Sequence, residues 1–430
     1  MYQEIAATIA AQRPVAALAF VQSVRAGKIS LHAMAAPPAT GSRVFFQHEE
    51  IGQVVAVSQE RVSALLSAPV CPALVPGARV ALRPPRAVRA GPHWVGRVVD
   101  PDGVPLDGRP IIQLEGELSD ATVRAALSRR ALGPRFTTGM LAVDTLLPLA
   151  RGQRLGLFAG SGVGKTTLLA DFARTWEADI IIFALIGERG RDLRTFATEV
   201  LDTDARARSV IIAATSDQPP QVRARCLDTA IRAAEHFRDQ GRQVLLLVDS
   251  VTRFAEAERE LSAATEGARA SAALPAGFSS RLARLCERIG PGSGATGDIS
   301  AVISVLVSGG DMEEPVADLL RGLLDGHIVL SRDISEGGRF PAFDVTRSVS
   351  RSLPEAASDE ERAVIARARN MIATYDEARL LIRSGLYVAG GDAGLDAAVA
   401  RHARIEEALA RKGAKTVEES FALLRAAIGG

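Results

Sequence analysis

The sequence predicts an α/β protein: a parallel sheet flanked by helices, preceded by a small β-domain and followed by a helical domain. Three observations predict it. Between about residues 91 and 354, the apolar runs Leu155–Phe158, Ile180–Ile186, Val210–Ala214, Val244–Val248 and Ala301–Val307 alternate with helical stretches, the pattern of strands joined by crossover helices. The first 90 residues or so carry short apolar runs broken by Pro37-Pro38, Pro69, Pro72, Pro76-Gly77 and Pro84-Pro85, which favours short strands and turns. After Pro354 the chain becomes rich in Ala, Arg and Glu with helical periodicity. At 430 residues the chain exceeds one core, and the expected domains are 1–90, 91–354 and 355–430.

Taken in order, Tyr2, Ile5 and Ile9 lie at helical spacing, so 2–12 reads as a plain packing helix or as an amphipathic one that docks a partner or a membrane surface. Further on, the run Leu155–Phe158 enters Ala159-Gly160-Ser161-Gly162-Val163-Gly164-Lys165-Thr166-Thr167, and Thr167 to Ala173 reads as a helix. Strand, glycine-rich loop and helix in that order make a P-loop, whose backbone N–H groups wrap a triphosphate. Gly160, Ser161, Gly162, Val163, Gly164, Lys165, Thr166 and Thr167 are therefore the candidate nucleotide-binding set. Lys165 reaches the β- and γ-phosphates, and Thr166 offers a hydroxyl to Mg²⁺. Ala159 stands where the strict pattern has glycine, which removes only some backbone freedom. Lysine is scarce, 4 among 51 basic residues, so one at this position is less easily accidental.

The 51 basic and 50 acidic side chains leave a net charge of +1, which gives no support to nucleic-acid binding. Cys71, Cys226 and Cys286 lack zinc-type spacing and are odd in number, so buried or incidental thiols in a reducing compartment are expected. With no signal-peptide pattern and no long apolar run, a cytoplasmic protein with at most peripheral membrane contact is expected.

ATP hydrolysis needs a phosphate cradle, a metal, a group that orients water and a cation for the developing charge. Asp249 closes the run Val244–Val248 and suits the metal, although an Asp there also suits a helix cap. Glu188 follows Ile180–Ile186 and suits the attacking water, with Arg189 beside it for the γ-phosphate. An exposed Glu-Arg pair in a turn also reads as a solvated salt bridge.

Together these residues resemble the rotary-type ATPase family, and within it the type III protein-export ATPases, particularly the flagellum-specific one. The resemblance is carried by Gly96-Arg97-Val98-Val99-Asp100 with Pro105-Leu106-Asp107-Gly108, by Thr138-Gly139-Met140-Leu141-Ala142-Val143-Asp144 and by Gly187-Glu188-Arg189-Gly190-Arg191. Asp325-Gly326-His327-Ile328-Val329-Leu330-Ser331-Arg332 adds to it. It implies a RecA-like P-loop ATPase core with an N-terminal β-barrel and a C-terminal helical domain. It also implies Lys165, Glu188, Arg189 and Arg351 as catalytic residues, Arg351 as an arginine finger entering a neighbour's site, Thr166 and Asp249 on Mg²⁺, and Phe340 stacking on adenine. Tyr387 matches a C-terminal family motif and reads equally as core packing.

By the same resemblance the partners are a homo-hexamer, a stalk-like regulatory subunit, chaperone–substrate complexes and a membrane export gate, with the protein at the inner membrane's cytoplasmic face. The segment 265–277 departs from the family pattern, which bears on contact with a stalk or substrate. The alternatives are the ATPase of an injection-type secretion system, a rotary ATP synthase catalytic subunit, a hexameric RNA translocase and a non-catalytic nucleotide-binding ring subunit.

Overall fold

The computed structural model describes residues 17–25, 27–33, 38–58, 61–67, 72–86, 88–111, 123–266 and 274–429. The expected helix at 2–12 and Cys71 lie outside them. The chain forms two compact units: residues up to 88 with 217–225 and 255–275, and the remainder.

In the first unit, β1 (Ala17–Arg25), β2 (Lys28–Ala33), β3 (Arg43–Phe46), β4 (Glu49–Val57), β5 (Val62–Leu66) and β6 (Arg79–Arg83) close a barrel in the order β1-β2-β5-β4-β3-β6. Every pair is antiparallel. Alternate residues such as Ala19 and Val21, Ile29 and Leu31, and Val80 and Leu82 fill the interior, following the two-residue period of a strand. Closure removes the free edges that short strands would otherwise expose. Gly52 is required where β4 crosses β5, because a Cβ there would stand 2.2 Å from the Leu65 carbonyl oxygen.

The second unit holds an eight-stranded sheet. Its strands are β7 (Arg97–Val99), β8 (Arg154–Ala159), β9 (Ile180–Glu188), β10 (Ser209–Thr215), β11 (Val244–Asp249), β12 (Ile299–Leu306), β13 (Gly326–Leu330) and β14 (Phe343–Ser350). Their order is β14-β13-β8-β12-β11-β9-β10-β7, and only the edge strand β14 runs antiparallel. The five apolar runs of the sequence are β8 to β12, buried along nearly their whole length because helices cover both faces of a parallel sheet.

The C-terminal helices Asp359–Arg383, Ala393–Ala410 and Val417–Ile428 share one core with the short helix Leu141–Leu146. A buried polar knot locks this contact. The Asp144 carboxylate accepts from Thr138 N at 2.6 Å, Thr138 Oγ1 at 2.7 Å and Gly139 N at 3.1 Å, with Ser420 Oγ at 3.5 Å. Arg135 donates to Glu361 at 3.2 Å and to the Ala356 carbonyl at 3.0 Å, beneath the Phe421 ring.

Cys226 and Cys286 are buried and free, and burial pushes the Cys286 thiol up to about 12. No helix among the described residues is long and apolar enough to cross a membrane.

Removing the Asp144 acceptor strands buried donors from two segments. Asp144→Ala should therefore destabilise the second unit by on the order of 3 kcal/mol, read as a lower melting temperature. An unchanged melt would count against the knot.

Candidate active site

In a parallel sheet, polar residues that would be costly within the buried strands collect just beyond their carboxyl ends. Four neighbouring strands, β8-β12-β11-β9, line up here. The P-loop leaves β8, Asp249 ends β11 and Glu188 ends β9. Lys165 opens the helix Lys165–Thr175 and reaches across to pair with Asp249. Ser304, from the intervening β12, donates to the same Asp249 Oδ1 at 2.9 Å. Asp249 is thus a buried ion-pair partner rather than a helix cap, and its side chain is 4% exposed.

The loop fits a polyphosphate. Gly162 and Gly164 have φ of +81° and +92°, where only glycine is relaxed, and a Cβ on Gly162 would meet nothing within 4 Å. Val163 is buried and pins the loop from below, while Ser161, Thr166 and Thr167 face outward. No side chain caps the helix start, so its first N–H groups remain available to an anion. Arg332 donates to the Ser161 carbonyl at 3.2 Å and holds the loop from the β13 side.

Glu188 is half-buried and Arg189 exposed, and no ion pair joins them, so the solvated salt-bridge reading does not hold. Burial, reinforced by the Asp249 charge, pushes the Glu188 carboxyl above the usual range, against the pull of Lys165 and Arg253. Gly187, at φ +69°, makes room for Arg253: a Cβ there would stand 3.2 Å from the Arg253 Cβ.

Phe340 is 50% exposed, and its ring edge lies 3.6 Å from where a Cβ on Gly164 would be. The aromatic therefore flanks the phosphate loop. Arg351 is elsewhere. It follows Ser350, which pairs with Gly326 at the amino end of β13, and its guanidinium bonds the Arg321 carbonyl at 3.3 Å. Five residues of strand, roughly 16 Å at ~3.3 Å each, separate it from its own P-loop. Tyr387 is not core: half-exposed, its hydroxyl donates to Asp396 at 2.6 Å, and Gly390 N donates to the same carboxylate at 2.8 Å. Of the segment 265–277, residues 267–273 lie outside the described residues, while Gly277, at φ +78°, begins the helix Phe278–Arg288.

Sequence reading missed Ser304, Arg253 and the role of Arg332. The serine sits inside an apolar run, and each arginine is one among 47.

Comparison with known proteins matches residues 139–350 to the nucleotide-binding domain of the ATP synthase alpha/beta family, and 357–425 to the T3SS EscN ATPase C-terminal domain. A flagellum-specific ATP synthase of Rhizobium meliloti is 41% identical over 81% of this chain and 75% of its own. The SPI-2 type 3 secretion system ATPase of Salmonella typhimurium is 44% identical over 74% of this chain and 73% of its own. The structure of the assembled ATPase EscN in complex with its central stalk EscO, from enteropathogenic E. coli, superposes with a TM-score of 0.82. It shares 30% identity and covers 96% of this chain and 100% of that one. The chain is a P-loop ATPase and belongs to the ATP synthase alpha/beta family, in the branch of flagellar and type III secretion ATPases.

Proposed function

We propose that this chain hydrolyses Mg-ATP at the subunit interfaces of a homo-hexamer, driving release of substrates from chaperones and their export through the flagellar type III machinery. It acts in the cytoplasm against the inner membrane, with a stalk-like subunit and a membrane export gate as partners. Its domains on this reading are 1–90, 91–354 and 355–430. The observation that carries the reading is the cluster of Lys165, Asp249 and Glu188 at one end of the sheet with Arg351 at the other.

Each residue then has a task. Lys165 exchanges Asp249 for the phosphates, which leaves the Asp249 carboxylate and the Thr166 hydroxyl as oxygen donors for Mg²⁺. The metal, when bound, neutralises charge on the phosphates. Glu188 orients water and accepts its proton, Arg189 meets the γ-phosphate, and Phe340 offers a π-face to adenine. Arg351, too far from its own loop, completes the site of the next subunit. An injection-type system is the second reading, favoured by the 44% identity to the SPI-2 enzyme. Restoration of swimming in a strain lacking its flagellar ATPase, against restored secretion in an injectisome mutant, separates the two.

Glu188→Gln should lower turnover by about 10²–10⁴ while ATP binding stays within about twofold. Because burial raises the folded-state pKa of Glu188, the stability tied to its protonated form is lost as pH rises through that value. At neutral pH its charge is a cost. The variant should therefore melt no lower than the wild type, and normal turnover would remove Glu188 from the mechanism.

Specific activity should climb with protein concentration as sites complete one another. Arg351→Ala should lower it by about 10³–10⁵ and recover in mixed assemblies with Lys165→Ala subunits that supply Arg351. No recovery in assemblies shown to be mixed would argue for a self-sufficient site.

A further inference from the structure

Arg339 precedes Phe340, and its side chain is only 9% exposed. Its Nε lies 2.6 Å from Glu406 Oε2, on the helix Ala393–Ala410, and its Nη2 donates to the Phe343 carbonyl at 2.7 Å. The guanidinium thus spans the turn Phe340-Pro341-Ala342 with one hydrogen bond, to the Phe343 carbonyl, and one ion pair, to Glu406, in which Nε is not aligned for a hydrogen bond. Glu406 is itself held in place. One turn earlier on its helix, His402 stacks on Tyr375 of Asp359–Arg383 with ring centroids 3.4 Å apart and planes 7° apart.

Beside the bridge lies a cavity of about 710 Å³, lined by Arg339 and Glu406 together with Asp333, Asp376 and Arg379. Pro341 and Ala342 are buried, so the body of the turn is packed, and the cavity leaves room only on the Arg339 side. Cutting the Arg339–Glu406 bridge releases the Arg339 side chain into that space, and with it the exposed Phe340 next in the chain.

We infer that the Arg339–Glu406 bridge positions Phe340 over the P-loop, so that the C-terminal helices set the affinity for the purine nucleotide while the distant carboxylates set the chemistry. Both are positioning residues: neither touches the nucleotide. The inference rests on Phe340 being the base-stacking ring.

The test uses the full-length assembled protein, with a fluorescent N-methylanthraniloyl ATP for affinity and steady-state hydrolysis for kcat and KM. Glu406→Gln and Arg339→Gln should each raise Kd and KM for ATP about tenfold with kcat within about twofold, the signature of lost ground-state binding. The double variant should be no worse than either single one, because both remove one interaction. In a Phe340→Ala background, Glu406→Gln should change Kd by less than about twofold, since the ring it positions is gone.

A merely structural bridge would lower the melting temperature and leave Kd alone. That result, or a full tenfold loss persisting without Phe340, overturns the inference. Loss of hydrolysis in Lys165→Ala checks the ATPase reading separately, so failure of one is distinguishable from failure of the other.

Discussion

The interaction on which the rest depends is the burial of four adjacent parallel strands on both faces. Within β8, β12, β11 and β9, almost every position is apolar, since an unpaired charge there would cost several kcal/mol. Charged groups are thereby driven to the strand ends, and parallel direction puts all the carboxyl ends on one side. Lys165, Asp249 and Glu188 meet because the sheet leaves them nowhere else to be. The Lys165–Asp249 pair then satisfies two buried charges that would otherwise be left uncompensated. Ser304 shows the same rule from inside a strand: its hydroxyl is tolerated because Asp249 accepts it.

How much could be read from the sequence follows from this. A strand buried on both faces is a continuous apolar run, so β8 to β12 were legible almost to the residue, and the P-loop and its helix with them. β14 was not: as an edge strand it alternates buried Val345 and Ser348 with exposed Thr346, Arg347 and Val349, which weakens any run. The prolines of the first 90 residues announced short strands, whereas closure into a barrel came from the resemblance, because closure depends on pairings between strands that no local pattern records. Arg339 and Glu406 lie 67 positions apart, and no spacing rule links them. The family signatures also turned out to be largely structural. Arg97 grips Asp107 through Nε at 2.7 Å and Nη2 at 2.8 Å, and the Thr138 to Asp144 string is the buried knot.

The C-terminal helices are tied to the catalytic sheet at several charged points rather than by one apolar face alone. Arg135 holds Glu361, Ser420 meets Asp144, Lys412 pairs with Asp171 on the P-loop helix at 2.5 Å, and Arg339 holds Glu406. Hydrogen-bonded charged ties are directional, whereas apolar contacts slide. The helices are therefore fastened to the segments on either side of the nucleotide site, including the helix that carries Lys165.

The position of Arg351, at the end of the sheet opposite its own phosphate loop, gives the chain a polarity. If Arg351 acts on the next molecule, as proposed above, contacts between copies are heterologous, one face meeting a different face. An open row of n molecules then holds n − 1 complete sites, always with one loop waiting and one arginine idle. Only closure removes both loose ends at once, so the last molecule to join completes two sites where each earlier addition completed one.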